Sequence, residues 1–426
     1  MHPEQLLHAC TDLVAQVLRF EHPADRVLSH FFREHRLGQR ERATLAETVY
    51  QLLRRKRLYE FMARSAPPTH AKGMATLARR LSLLGFAAPR ELIKSSVQLQ
   101  EWDWLMACDA QMQSGQGLLE PHRHNLPDAL AQLLKAQMGE QFWPLAQSLL
   151  ESAPLDVRVN ILKSNRTDAG KELAAHAIKS EATTFSPWGL RMQGKPALNE
   201  LPAFKQGLLE VQDEGSQLLA LITGAKRGEM VADFCAGAGG KTLALGAMMK
   251  NTGRLYAFDT SQKRLDGMKP RLARSGLSNI HPVAIAHERD ERIKRLTGKM
   301  DRVLVDAPCS GLGTLRRNPD LKWRQKETDL AELVILQAKI LQSASRLVKS
   351  GGRLVYATCS LLQEENEHIA QAFGTANADF ELLEVNELLA AQKIEKAQTL
   401  CSGSYLRLWP QVHQTDGFFA AVWQRK

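Results

Sequence analysis

A chain of 426 residues, 44% hydrophobic and 24% charged, has enough apolar residues for sizeable cores and leads to an expectation of two or three soluble globular domains. Its 56 Lys and Arg against 46 Asp and Glu give a net charge of +10, which suits a polyanionic partner but also an ordinary, mildly basic protein. Six scattered cysteines (Cys10, Cys108, Cys235, Cys309, Cys359, Cys401) without a C-x-x-C pair exclude a disulfide framework and a zinc site, so no metal is expected.

The first residues carry neither a basic nor an apolar leader segment, and no apolar run approaches the ~18 residues of a membrane helix. A cytoplasmic protein in a reducing compartment, away from membranes, is the expectation. From residue 1 to about 110 the pattern is helix after helix. Leu6, Cys10, Leu13, Val14 and Val17 recur at helical spacing, as do Val27, Leu28, Phe31 and Phe32, and then Leu45, Val49, Leu52 and Leu53. The cluster Arg54-Arg55-Lys56-Arg57 reads first as a solvated helix end, and second as a phosphate contact.

Glycines and prolines at 113–127 mark a domain boundary, and 128–180 reads as a small α/β module with a strand at 157–161. A second loose stretch spans 186–207. From about 210, apolar runs at 230–234, 254–258, 282–286, 302–306 and 353–358 alternate with helical segments such as 328–349. That alternation predicts an α/β, Rossmann-like, doubly wound and mostly parallel sheet, joined at its end by paired strands at 404–409 and 417–423.

The first strand of this region runs into Cys235-Ala236-Gly237-Ala238-Gly239-Gly240-Lys241-Thr242, and a helix follows. Strand, glycine turn and helix let a nucleotide-like ligand approach backbone N–H groups. The loop is neither a P-loop, since Cys235 stands where glycine is required, nor a dinucleotide fingerprint, since Thr242 replaces the third glycine. Asp259, ending the next strand, suits the two hydroxyls of a ribose, or alternatively caps the helix after it.

Two further strand ends deliver thiols: Asp306-Ala307-Pro308-Cys309-Ser310-Gly311 and Thr358-Cys359-Ser360. In an open α/β sheet both belong at the edge where the glycine loop holds its ligand. Ser360 and Gln363 have the spacing of a capping box, which would set Cys359 beside a helix start, with Glu364 and Glu365 opposing that dipole. Either cysteine alone reads as a small buried hydrophobe. Flanked as they are, the two together do not.

The motifs at 235–242, 306–311 and 358–360, with the closing Asp416-Gly417-Phe418-Phe419, make roughly residues 210–426 resemble the RNA cytosine-5 methyltransferase family. A weaker likeness over 37–42 and 49–54 makes the N-terminal helices similar to the NusB-like RNA-binding domain of bacterial 16S rRNA enzymes in that family. The resemblance implies three parts: a helical NusB-like domain at 1–125, a small α/β RNA-binding module and linker at 126–209, and the methyltransferase domain at 210–426. It implies S-adenosylmethionine as cofactor, contacted by Cys235, Ala236, Gly237, Ala238, Gly239, Gly240, Lys241, Asp259 and Asp306. RNA, and 16S rRNA in particular, is the implied partner.

It further implies Cys359 as nucleophile and Cys309 as an aid to product release, while Asp306, at the end of its strand, is placed to protonate or hydrogen-bond the ring nitrogen of the base and so stabilise the adduct. A thiolate adding at carbon 6 of cytosine makes carbon 5 nucleophilic enough to attack a sulfonium methyl. Where the resemblance implies one more cofactor-contacting acid, this chain has His287, with Glu288 and Asp290 the nearest acids. A tRNA or DNA cytosine methyltransferase, and a non-catalytic RNA-binding assembly factor on the same fold, remain the alternatives at this stage.

Overall fold

Apolar residues at helical spacing build the N-terminal helices, beginning with Pro3–Val17, Ala24–Glu34, Gln39–Arg54 and Lys56–Arg64. Leu7, Leu13, Phe31, Leu45, Leu52 and Leu53 close their common core. The computed structural model describes residues 2–64 and 76–426. They form two compact units: Met1–Ser152 with Thr314–Lys326, and Ala153–Gly313 with Glu327–Lys426. None of the described helices is long and apolar enough to cross a membrane.

Within the first unit the basic cluster serves packing. Arg54 is buried and donates to the Arg316 carbonyl at 2.9 Å, Lys56 pairs with Glu60 at 2.8 Å, and Arg57 pairs with Asp128 at 2.6 Å. A helix break at Arg55 turns these side chains back onto their own unit instead of leaving a solvated end.

The second unit contains two sheets. The smaller consists of β1 (Leu155–Val159), β2 (Ser180–Ala182), β3 (Gly189–Met192) and β4 (Leu209–Val211), ordered β2-β3-β1-β4, with every pair antiparallel. Val157, Val159, Leu190, Leu209 and Leu173 form its core. Strand β3 lies inside a stretch that reads as loose from its glycines and prolines.

The larger sheet contains β5 (Met230–Asp233), β6 (Arg254–Asp259), β7 (Ile280–Ala284), β8 (Met300–Asp306), β9 (Val348–Thr358), β10 (Phe380–Leu382), β11 (Cys401–Ser402), β12 (Tyr405–Leu408) and β13 (Phe418–Arg425). Its order is β11-β12-β13-β9-β8-β5-β6-β7, with β10 on β13. The pairs from β7 through β9 are parallel, and β13 joins β9 antiparallel. This is the doubly wound sheet with added terminal strands that the sequence predicts. The edge strand β7 starts two residues earlier than expected and contains Pro282, a residue tolerated only where a strand lacks one neighbour. Strand order reverses between β5 and β8, so the loops leaving β5, β8 and β9 open side by side at one edge.

Candidate active site

The glycine loop leaves β5 and starts the helix Gly240–Met248. Gly237 and Gly239 take φ of 56° and 85°, conformations that favour glycine. A Cβ on Gly239 would come within 2.6 Å of Met268, whereas one on Gly237 would meet nothing within 4 Å. Gly237 N–H donates to Asp259 at 2.8 Å, and the other Asp259 oxygen accepts from Ser261 N–H at 2.7 Å. Ser261, and not Asp259, caps the next helix by accepting from Arg264 N–H, so the Asp259 carboxylate faces the glycine loop. Two arginines hold the loop from outside: Arg158 donates to the Gly240 carbonyl at 2.8 Å and Arg271 to that of Ala238 at 2.6 Å.

Beneath the loop, Asp233 accepts from the Thr242 hydroxyl at 2.7 Å while its other oxygen is buried without a hydrogen-bond partner. Burial pushes its carboxyl from the ordinary 3.8 up to about 7. The folded state therefore holds this proton more tightly than the unfolded chain. Its contribution to stability is complete below 3.8 and is lost as pH rises to about 7. Asp233→Asn removes that loss, and we expect a gain on the order of 1–2 kcal/mol at neutral pH that fades under acid. Denaturant unfolding at both pH values checks it, and equal gains at both would refute the titration.

The thiol loops meet as the strand order requires. β8 and β9 are parallel neighbours, Asp306 aligned with Ala357, and the Cys309 and Cys359 sulfurs lie 3.4 Å apart. Gly313 N–H donates to the Cys359 carbonyl at 2.8 Å, and Gly417 N–H to the Gly313 carbonyl at 2.9 Å. A Cβ on Gly313 would come within 2.1 Å of the Gly417 carbonyl oxygen, so only glycine passes there.

Lys241 reaches out of the glycine loop to Asp306, with Nζ 2.6 Å from the carboxylate. Burial would lower the lysine's pKa, but Asp306, then Cys359 and Asp233, outweigh it and hold it above its ordinary value. Cys309 is pushed well up, first by its hydrogen bond with Cys359, then by burial, the charge of Cys359 and the carboxylate of Glu365. Burial, with Asp233, Asp306 and Asp259 nearby, also pushes the Cys235 thiol well up.

The structure corrects one local expectation. Ser360 does not cap a helix: its hydroxyl donates to the buried Glu365 and accepts from Leu362 N–H at 3.1 Å. A 3-10 turn at Gln363–Glu365 intervenes, and the helix begins only at Glu367, so no helix start adjoins Cys359. Near His287, Asp290 is committed to capping Glu291–Lys294. It accepts from Ala286 and Arg292 N–H, both at 2.9 Å, which with the Arg292 guanidinium hold its carboxyl well below the usual range. Glu288, 3.8 Å from Arg289, is the acid left there without a capping task.

Sequence reasoning missed Glu365 as an acceptor shared by both thiol loops, and Arg158 and Arg271 as supports of the glycine loop. Motif spacing carries no signal for the arginines, since Arg158 and Gly240 are 82 residues apart.

A family model described as 16S rRNA methyltransferase RsmB/F matches residues 220–424, and one described as the ferredoxin-like domain of RsmF/B-like methyltransferases matches 126–199. The chain is 30% identical to a probable ribosomal RNA small subunit methyltransferase B of Synechocystis, over 96% of this chain and 97% of that relative. Among solved structures, PH0851 superposes with a TM-score of 0.79 at 24% identity, covering 100% of this chain and 99% of that one. A methyltransferase homolog protein from Pyrococcus horikoshii gives a TM-score of 0.61 at 30% identity, over 72% of this chain and 97% of its own.

Proposed function

The chain belongs to the 16S rRNA methyltransferase RsmB/F family, and on that premise we propose that it methylates carbon 5 of a cytosine in small-subunit ribosomal RNA, using S-adenosylmethionine and a covalent adduct at Cys359. One observation carries the reading: two thiols 3.4 Å apart past the carboxyl ends of β8 and β9, with the Lys241–Asp306 pair joining the β8 end to the glycine loop. In this reading residues 1–125 and 126–209 engage the RNA, 210–426 carry the chemistry, and the protein works in the cytoplasm, where thiols stay reduced.

The cofactor fits the residues present. The bare Cα of Gly237 borders open space, and the buried Asp259 carboxylate beside it suits the two hydroxyls of a ribose. The loop from Cys235 to Gly240 would hold the remainder, with Lys241 and Asp306 next to it. When bound, S-adenosylmethionine supplies an electrophilic methyl group.

Cys359 adds through its thiolate to carbon 6, and the electrons of the C5–C6 double bond make carbon 5 the attacking atom. Asp306, steadied by Lys241, accepts a hydrogen bond from the base and fixes its orientation. After transfer the carbon-5 proton leaves to a base, the S–C6 bond breaks and the sulfur departs as thiolate. Cys309 stands beside that breaking bond as a protonated thiol. Cys359 helps hold the charge of Lys241, and Cys309 is pushed up in part by Glu365.

Incubation with labelled methyl donor and unmodified small-subunit rRNA should yield label in 5-methylcytosine after nuclease digestion. Cys309→Ala should accumulate a covalent protein–RNA species that survives a denaturing gel. Label in another nucleoside would overturn the reaction, and clean release of RNA from the Cys309 variant would overturn that residue's role.

A further inference from the structure

Glu365 is fully buried, and among the described residues no Lys, Arg or His side chain pairs with it. Hydrogen bonds alone sustain it. One oxygen accepts from Ser310 N–H at 2.8 Å and from the Gln337 amide at 2.9 Å. The other accepts from the Ser310 hydroxyl at 2.6 Å and from the Ser360 hydroxyl. Gln337 donates also to the Pro308 carbonyl at 2.9 Å, and the Tyr356 hydroxyl donates to Glu365's own carbonyl at 2.6 Å.

Every side-chain donor reaching this carboxylate comes from the residue after a thiol or from a side chain bracing a thiol loop. Burying a carboxylate is costly without such donors; a glutamine would keep one acceptor for Ser310 N–H and Gln337 but would turn an NH2 toward the two serine hydroxyls and reverse those bonds.

We propose that Glu365 is the positioning residue of the thiol pair: it ties the Cys309 loop to the Cys359 loop through Ser310 and Ser360, and its uncompensated charge keeps Cys309 from competing as nucleophile. The proposal rests on the reading of Cys359 as nucleophile. Glu365 is one of the causes of the upward push on Cys309, after the hydrogen bond with Cys359, burial and the charge of Cys359. Were both thiols free to ionise, either could add to the base, and addition through Cys309 would leave the wrong sulfur attached.

The test separates charge from support by cysteine-resolved alkylation with iodoacetamide across pH, read by peptide mass spectrometry without RNA. In the wild type Cys309 should resist labelling into alkaline conditions. Glu365→Gln should raise Cys309 labelling at mildly alkaline pH by about tenfold, since it removes one of the charges that push this thiol up, an effect of about a unit. Methyl transfer should lose about a hundredfold in kcat with KM for RNA nearly unchanged.

Glu365→Asp keeps the charge but withdraws it, so Cys309 should label as in the wild type while kcat still falls. Ser310→Ala, which keeps the backbone N–H bond to Glu365, should lower kcat without advancing Cys309 labelling. Unchanged Cys309 labelling in Glu365→Gln, or equal rises at both cysteines, overturns the proposal. Because alkylation needs neither RNA nor cofactor, a wrong substrate assignment would appear as absent methyl transfer in the wild type and leave this result intact.

Discussion

Cys359→Ala should abolish turnover and leave a folded protein that still binds the methyl donor. The substitution removes one partly exposed sulfur packed at the rim of the central core and disturbs no backbone hydrogen bond, since the Gly313 N–H bond goes to the Cys359 carbonyl. Without a nucleophile at carbon 6 the ring never becomes reactive at carbon 5, so we expect a fall in rate of about 10⁴-fold or more. Donor affinity should stay within about threefold, because the lost group acts on the base and not on the cofactor loop. Serine should not rescue, since a hydroxyl with a far higher pKa does not supply the anion. Labelled-methyl transfer with calorimetry on the same preparations checks both halves. Normal transfer by the alanine variant would end the nucleophile assignment.

The meeting of the thiols was legible from the sequence because it follows from topology. Two apolar runs, each ending in a cysteine, become parallel strands, and parallel strands present their carboxyl ends to one edge. The glycine loop and Asp259 were legible for the same reason. What escaped was set by partners distant in sequence or by competition among local options. Ser360 and Gln363 have a capping-box spacing, yet a buried carboxylate two residues after Gln363 captures the serine first, because leaving Glu365 unpartnered would cost more than leaving a helix end uncapped. Strand β3 hid among glycines and prolines because its support comes from pairing with β1 and β2, not from its own alternation. The basic cluster after Leu53 looked solvated because nothing local shows that Arg54 finds a carbonyl at Arg316.

Lys241 is the residue whose role shifts most between motif and structure, and its removal is the second large effect expected. As a loop residue it reads as a cofactor contact. In the fold its ammonium lies 2.6 Å from Asp306, with both side chains mostly shielded and the Cys359 sulfur close enough to help hold its charge. Lys241→Met strips the counter-charge and leaves a shielded Asp306 carboxylate unpaired beside the reacting thiol, free to turn away from the base. We expect kcat to fall by about 10³-fold and stability by about 3 kcal/mol, the cost of breaking a shielded pair from one side. Adding Asp306→Asn to Lys241→Met should recover most of the stability, since no unpaired charge remains, but little of the activity, since the base meets a neutral amide oxygen in place of the carboxylate. Labelled-methyl transfer and denaturant unfolding of the single and double variants measure these effects. Activity returning in the double variant would mean that the pair serves the fold alone.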